Sequence, residues 1–183
     1  SMLNPTNVLS ISTWVKINAW GNTKLAMVSR MPVAPASGYL LAEYSHGPYF
    51  WLYISGVGGR SVSGPSGSLT TGAWHHVAGT YDGCAMKVYL NGAIVGSNAV
   101  SGRLSTLTNE TFIGKASSTL ATCFNGYQDE VRVYNRALSD GEVMGLYCNE
   151  TGIPDSSVTM DGGVEYVLPT GDLPMGSFTN SVQ

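Results

Sequence analysis

Two short turn signals near the middle of the chain limit its fold more than any other feature. The run WHHVAGTY (74–81) is joined by Asp82-Gly83 to CAMKVYL (84–90), and Asn91-Gly92 joins that run to AIVGS (93–97). Asp-Gly and Asn-Gly between alternating runs are typical of tight hairpins, because both central residues can adopt positive φ. The sequence therefore predicts a three-stranded antiparallel meander at residues 74–97.

The rest of the chain continues this pattern of short runs separated by turns. In the first run, Leu9, Ile11, Thr13 and Val15 share one side, which predicts the core face. The connection SHGP predicts a hairpin between two of the runs. The further strand candidates are residues 7–17, 24–30, 38–44, 49–55, 110–116 and 124–138.

A single short helix is expected after these strands. Ser139 with Glu142 three residues later forms a capping box, and Val143, Leu146 and Tyr147 then follow at helical spacing. The helix is predicted over residues 139–148, packed as a cap on the strands. About ten short strands at turn-punctuated intervals favour an all-β fold, a two-sheet antiparallel β-sandwich of the jelly-roll type. Residues 2–183 are expected to form one domain, with Ser1 as a tag remnant.

Composition excludes several functional classes. The net charge is −3 and no basic cluster is present, so the chain lacks the electrostatic footprint of a nucleic-acid-binding protein. No apolar run approaches the roughly 20 residues that a membrane-spanning helix needs. The chain is therefore expected to be a globular module whose partner is neither a nucleic acid nor the interior of a membrane.

The cysteines leave redox state and compartment open. Cys84, Cys123 and Cys148 form no C-x-x-C pair, which disfavours a zinc site. Three unbridged thiols are favoured over one disulfide. No signal peptide follows Met2, which indicates a cytoplasmic chain or one exported by another route if Met2 is the native start, and an extracellular one if the chain is cut from a longer protein.

Three segments together resemble a known family. GAWHHVAGTYDGCAMKVYLNGAIVGS, TFIGKA and FNGYQDEVRVYNRALSDGEVMGLY look like the laminin G-like, concanavalin A-like lectin/glucanase jelly-roll domains. The resemblance extends back to LNPTNVLSISTWVKI and covers Leu3 to Cys148. It implies the fold more specifically than the function, since this fold carries lectins, adhesive modules, enzyme-appended binding modules and glycosidases.

The chain departs from the family pattern at its beginning. Such domains usually open with a strand pair, whereas here the stretch that resembles that pair lies at 156–174. The chain is therefore similar to a circularly permuted domain, or to one cut from a tandem array. We expect residues 158–168 to complete the sandwich, either within their own chain or in a neighbouring copy by strand exchange, which would give a homo-oligomer. A disordered tail is disfavoured, because Val, Met, Tyr and Leu are not typical of disorder.

The resemblance also implies a metal site. In the family, aspartates at the positions of Asp129 and Asp161 often help to hold a structural Ca²⁺, with backbone carbonyls completing the oxygen shell. Carried over, the candidate ligands are Asp129, Asp161 and the carbonyls of Gly162 and Gly163. Strand parity predicts that Asp129 points inward with Tyr127, Val131 and Val133, where a carboxylate needs a counter-charge, donors or a metal. An Asp129 that pairs with a cation or accepts backbone N–H bonds remains an equal alternative.

Aromatic residues mark the candidate ligand site. Tyr44, Tyr49, Trp51 and Tyr53 share one face of the 38–55 hairpin, while the aliphatic-rich opposite face is the better core face. Sugars present C–H patches that stack on aromatic rings, so an exposed Tyr/Trp strip would bind a glycan or a protein partner. The competing interpretations are that loop 56–72 covers the strip, or that Trp51 belongs to the core.

No catalytic signature accompanies this site. Glucanases of this fold place acids at alternate positions of one strand, but Asp129 and Glu130 are adjacent and face opposite sides. The sequence therefore predicts a non-catalytic, lectin-like module that binds carbohydrate. A protein-interaction or assembly module is the alternative, and a glycoside hydrolase is a remote one.

Overall fold

The computed structural model describes residues 7–21, 24–31, 37–105, 110–116 and 123–150, and these form a β-sandwich with one helix. In chain order the elements are β1 (Leu9–Ile17), β2 (Leu25–Arg30), β3 (Tyr39–Tyr44), β4 (Gly47–Ile54), β5 (Gly58–Ser63), β6 (Trp74–Tyr81), β7 (Ala85–Leu90), β8 (Ala93–Ala99), β9 (Phe112–Ile113), β10 (Gly126–Tyr134) and α1 (Asp140–Glu150).

The strands form two antiparallel sheets of five strands each. The first sheet has the order β10-β1-β6-β7-β8, and the second has the order β5-β4-β3-β2-β9. The predicted meander is confirmed as β6, β7 and β8 in the first sheet. Asn91 and Gly92 both adopt positive φ, as a tight Asn-Gly turn requires, whereas in the Asp-Gly turn Gly83 does so and Asp82 does not.

The main core lies between the sheets. Leu9, Ile11 and Val15 are fully buried there, which confirms the predicted core face of β1. Phe50 is also fully buried, and its ring packs on Gly79 of the first sheet, where a Cβ atom would come within 2.6 Å of the Phe50 ring. Glycine at position 79 therefore allows the two sheets to approach closely at their centre.

The hairpin between β3 and β4 is tighter than predicted. Its turn consists of Ser45 and His46, both with positive φ, while Gly47 and Pro48 belong to β4. The Glu43 carboxylate accepts N–H bonds from Leu25 and His46, which holds this turn closed from the core side. The predicted four-residue connection SHGP is therefore wrong by two residues.

The helix α1 covers the outer face of the first sheet. Its capping box is confirmed: the Ser139 N–H donates to the Glu142 carboxylate at 2.7 Å, and the Glu142 N–H donates to the Ser139 hydroxyl at 3.3 Å. Val143 and Leu146 are buried against Tyr89 in a second, smaller apolar cluster. The predicted cap over 139–148 is thus observed as a helix of 11 residues on this sheet.

A β-bulge changes the predicted orientation of Asp129. The register between β1 and β10 shifts between Ser12 and Trp14, and Glu130 adopts a φ of 49°. Asp129 pairs with Trp14, on the outer side of the first sheet, whereas Val131 lies in the core. The expectation that Asp129 and Tyr127 share the inward face with Val131 and Val133 is therefore wrong, because the bulge reverses the alternation between them.

Two further sequence expectations can be compared with the described residues. Cys84, Cys123 and Cys148 are exposed and form no disulfide with one another, in agreement with the favoured interpretation. Among the described residues, no helix has the length and apolar character needed to cross a membrane. The segment 156–174, predicted to complete the sandwich, lies outside the described residues, and its role stays a prediction.

Candidate functional site

The two outer faces of the sandwich differ in what lies on them. The outer face of the first sheet packs against α1, whereas no helix of the described chain lies on the outer face of the second sheet. We call this second surface the aromatic face. Strand register places on it the outward-facing residues of β2 to β5, which are Ala26, Ser29, Leu40, Ala42, Tyr44, Tyr49, Trp51, Tyr53, Gly59, Ser61 and Ser63.

The structure places all four predicted ligand-binding residues on the aromatic face. Tyr44 is 49% exposed and Trp51 and Tyr53 are half-buried. Tyr49 is only 7% exposed, so the expectation of an exposed side chain at that position is wrong. The ring centroids of Tyr44 and Tyr49 lie 5.6 Å apart and those of Trp51 and Tyr53 lie 6.3 Å apart, which gives two tilted aromatic pairs along one sheet surface.

Small residues on the neighbouring strand determine where the indole of Trp51 lies. A Cβ atom at Gly59 would stand 2.9 Å from Trp51 Nε1 and 3.0 Å from Cζ2. Ser61 is the direct cross-strand neighbour of Trp51. The indole therefore lies over the backbone of β5, and a larger side chain at Gly59 would displace it.

Lys24 and Gly59 are residues of this site that the sequence did not predict, and Lys24 is the charged one. Its ammonium nitrogen lies 4.0 Å from the ring centroid of Tyr49 and 4.6 Å from that of Tyr44. Both distances are within the range of a cation–π interaction. Tyr49 is buried in an apolar cluster with Ala26, Ala42 and Ala116, and Lys24 lies over its ring. Only the pairing of β2 with β3 brings Lys24 beside the tyrosines, and the sequence gives no direct signal of that pairing.

The carboxylate nearest in sequence to the aromatic residues, that of Glu43, does not lie on the aromatic face. Glu43 is 4% exposed and points to the core side of β3, where its two oxygens accept the N–H groups of Leu25 and His46. The outward positions of β2 to β5 carry no acidic residue among those described. Among the described residues, Lys24 is therefore a charged side chain that contacts this surface.

A second polar cluster lies under α1 on the opposite side of the molecule. His76 is fully buried, and its Nε2 lies 2.8 Å from the hydroxyl of Ser12. The rings of Trp14 and Tyr147 cover it, at centroid distances of 5.5 Å and 6.3 Å. Burial, with a smaller effect of the positive charge of Arg132, lowers the pKa of His76 to about 4. This Ser–His pair is closed to a substrate and acts in packing.

His75 and His76 diverge from the same strand, as their adjacent positions predict. The ring of His75 turns away from the Ser12 side, and its Nε2 lies 3.0 Å from the hydroxyl of Thr70. Burial lowers the pKa of His75. The two imidazoles therefore serve separate structural contacts and cannot chelate one ion together.

The predicted calcium ligands are not brought together within the described residues. The Asp129 side chain accepts the Glu130 N–H at 2.8 Å, and its backbone carbonyl accepts the Thr13 hydroxyl at 3.1 Å. Asp161, Gly162 and Gly163 lie outside the described residues. The described part of the chain contains no group of three or more His, Cys, Asp or Glu residues that could hold a metal ion. The described residues alone thus do not build a Ca²⁺ shell, and the site stays a prediction that melting with and without a chelator tests.

Comparison with known proteins agrees with this architecture. The profile of the concanavalin A-like lectin/glucanases superfamily matches residues 1–144. The chain belongs to this superfamily. No curated protein sequence matches it.

Similar solved structures share the fold at low sequence identity. One is domain 4 of AbnA, an extracellular GH43 arabinanase from Geobacillus stearothermophilus, in complex with arabinotriose. It is 24% identical in sequence, the match covers 79% of this chain and 68% of that chain, and the TM-score is 0.63. Another is the CBM40 of the Ruminococcus gnavus IT-sialidase, bound to α2,3-sialyllactose; it is 17% identical over 78% of this chain and 84% of that chain, with a TM-score of 0.64.

The fold also occurs in a toxin. The binding domain of botulinum neurotoxin serotype G is 16% identical, with a TM-score of 0.60, and the match covers 79% of this chain and 37% of that chain. At these identities the likeness shows the fold alone, and the ligand has to be argued from the residues of this chain.

Proposed function

We propose that this chain is a non-catalytic carbohydrate-binding module whose ligand lies on the aromatic face. The observation that carries the proposal is the row of aromatic side chains on the exposed part of the outer face of the second sheet; Ala26, Leu40 and Ala42 of the same face are buried with Ala116. Tyr44, Trp51 and Tyr53 expose ring surface there, and ring faces stack on the C–H patches of sugars. The solved complexes with arabinotriose and α2,3-sialyllactose support a glycan as the class of ligand.

The dimensions of the site favour an oligosaccharide. Trp51 and Tyr53 lie about 7 Å apart along β4 at the rise of an extended strand, and the exposed Tyr44 lies beyond the buried Tyr49 at the other end. Trp51 stands in the middle of this row, over the flat backbone of Gly59. A ligand that covers the row contacts Trp51 whichever end it reaches, so Trp51 is the residue on which binding should depend most.

Screening on a glycan array, followed by titration of any oligosaccharide that binds, tests the proposal. We expect Trp51→Ala to reduce the affinity for any bound oligosaccharide by about tenfold or more, because removing a central aromatic contact costs on the order of 1–2 kcal/mol. Trp74→Ala is the matched control: Trp74 is 37% exposed but begins β6 in the first sheet, away from the aromatic face. Unchanged affinity in Trp51→Ala, or equal losses in both variants, would contradict the placement of the ligand.

A protein-interaction or assembly module is the second candidate, because tyrosine and tryptophan are also enriched in protein interfaces. Tyr44, at 49% exposed, would suit that role. Light scattering separates the two candidates: a dimer that Trp51→Ala dissociates, together with no glycan binding on the array, would favour assembly over carbohydrate recognition.

The absence of catalysis is inferred from the carboxylates. Glu43 is engaged with backbone N–H groups inside the sandwich, and Glu130 forms an ion pair with Arg132. Neither faces the aromatic surface, where glycoside hydrolysis would need two carboxyl groups across one bond. Release of reducing sugar from a glycan that the module binds would overturn this inference.

A further inference from the structure

The position of Lys24 suggests the chemical class of the ligand. Its ammonium group lies over Tyr49 and Tyr44 and has no carboxylate partner among the described residues. A lysine ammonium carries three N–H donors, and contact with ring faces leaves donors available for an oxygen ligand. The outward positions of the surrounding strands contribute no acidic side chain among the described residues. The surface at this end is therefore positive, and it adjoins the aromatic row.

We propose that the module selects an anionic oligosaccharide, one that carries a carboxylate or sulfate group next to a neutral sugar ring. This proposal rests on the proposed function, and it states in which direction the ligand lies along the site. The acidic group lies at the Lys24 end, near Tyr44, and a neutral ring stacks on Trp51 and Tyr53. The tyrosine rings hold the ammonium in place before the ligand arrives, which lowers the entropy lost on binding.

The ion pair between Lys24 and an acidic group should affect the choice between acidic and neutral oligosaccharides more than the overall affinity. An ion pair at a partly exposed site contributes up to about 1 kcal/mol, which corresponds to roughly fivefold in affinity. The contribution should weaken as salt rises, because ions screen exposed charges. Stacking on Trp51 does not depend on salt in this way. The contribution of the ion pair and the contribution of stacking can therefore be measured separately by varying the salt concentration.

The experiment uses pairs of probes that differ only in the acidic group. Isothermal titration would compare α2,3-sialyllactose with lactose, oligogalacturonate with its methyl ester, and a sulfated oligosaccharide with its desulfated form. We expect at least one acidic member to bind about three- to fivefold more tightly than its neutral partner, with the preference falling as salt rises. The carboxylate and sulfate pairs show which anion is preferred.

Three variants assign the preference to Lys24. Lys24→Gln should remove the preference for the acidic member while leaving binding of the neutral member within about twofold, and Lys24→Arg should retain the preference. Lys16→Gln is the matched control: it makes the same change of charge on β1 in the first sheet and should have no effect. Thermal melting of each variant confirms that the fold is intact.

The possible outcomes separate this inference from the proposed function. Equal binding of acidic and neutral probes, with loss of both in Trp51→Ala, would overturn the anionic ligand and leave the carbohydrate-binding site in place. A preference that Lys24→Gln retains, or that Lys16→Gln removes equally, would overturn the assignment to Lys24. Failure to bind any glycan would overturn both proposals.

Discussion

Buried histidine is the residue-scale feature with the clearest consequence for stability. His76 is fully buried beside the hydroxyl of Ser12 and next to the stacked rings of Trp14 and Tyr147. This environment accommodates a neutral imidazole and opposes a charged one. The folded protein therefore binds a proton at His76 less readily than the unfolded chain does.

Folding stability should consequently fall as the pH drops below about 6.5. The pKa of His76 is lowered from 6.5 to about 4, so between these values the unfolded chain binds more protons and is favoured. The loss from this residue at pH 5 is about 2 kcal/mol relative to pH 7. Urea unfolding at both pH values measures it, and His76→Gln should show a smaller decrease. Equal decreases in the two proteins would contradict this prediction.

Alternation along the strands predicted side-chain positions well where the strands are regular. Phe50, Leu52 and Ile54 are fully buried, as the choice of the aliphatic-rich face required. The same reasoning failed at Asp129, because a bulge inserts one residue into the pairing of β10 with β1 and reverses every position beyond it. No residue type in YQDEVRV marks that bulge, since Glu130 with positive φ is an exception to ordinary preferences.

At the scale of secondary-structure elements, α1 is held to the first sheet by a short apolar contact. Val143 and Leu146 pack with Tyr89 and Tyr134, while Gly92 in the turn between β7 and β8 provides space for Met144. A Cβ atom at position 92 would come within 2.7 Å of the Met144 sulfur. The Asn-Gly turn thus has two roles: it closes a hairpin, and it makes room for the helix.

Truncating the apolar contact of α1 should lower global stability. We expect Leu146→Ala to reduce the free energy of unfolding by about 2–3 kcal/mol, through lost burial and the cavity left behind. Asn149→Ala, at an exposed position of the same helix, should change it by less than about 0.5 kcal/mol. Chemical denaturation measures both. Similar small effects in the two variants would show that the helix is not part of the cooperative fold.

Elements with strong turn signals were predicted, and an element without them was missed. The meander β6 to β8 followed directly from Asp-Gly and Asn-Gly, and the helix followed from its capping box. Strand β5 was not predicted, since GGRSVS is glycine-rich and polar and has almost no apolar alternation. It is a strand because β4 supplies the partner, and that pairing is a tertiary effect. Part of the candidate site, Gly59, was missed with it.

At the scale of the whole molecule, the edges of the two sheets bear on the predicted role of residues 158–168. In the described fold, β10 and β8 are the edge strands of the first sheet, and β5 and the two-residue β9 are those of the second. An edge strand has unpaired N–H and C=O groups, which another strand can complete. We therefore propose that residues 158–168 complete the sandwich, in their own chain or in a second copy.

Removal of residues 157–183 tests this proposal. We expect the truncated chain to lose solubility and cooperative thermal unfolding, because an apolar sheet edge would be left without its strand. A shorter truncation, of residues 175–183 alone, keeps the candidate strand and should behave like the full chain. Light scattering of the full chain then distinguishes a monomer from strand exchange. A 157–183 deletion that stays soluble and unfolds cooperatively would contradict the proposal.

The helix on one face and the aromatic residues on the other also fix how the module would be oriented on an insoluble polysaccharide. A molecule held by Trp51 and Tyr53 lies with its second sheet against the polymer and with α1 directed to the surrounding liquid. A fluorophore at Asn149 would then stay solvated on binding, whereas one at Ser61 would be quenched or would block adsorption. The same asymmetry makes α1 the side of the module on which an attached domain would not compete with the polymer.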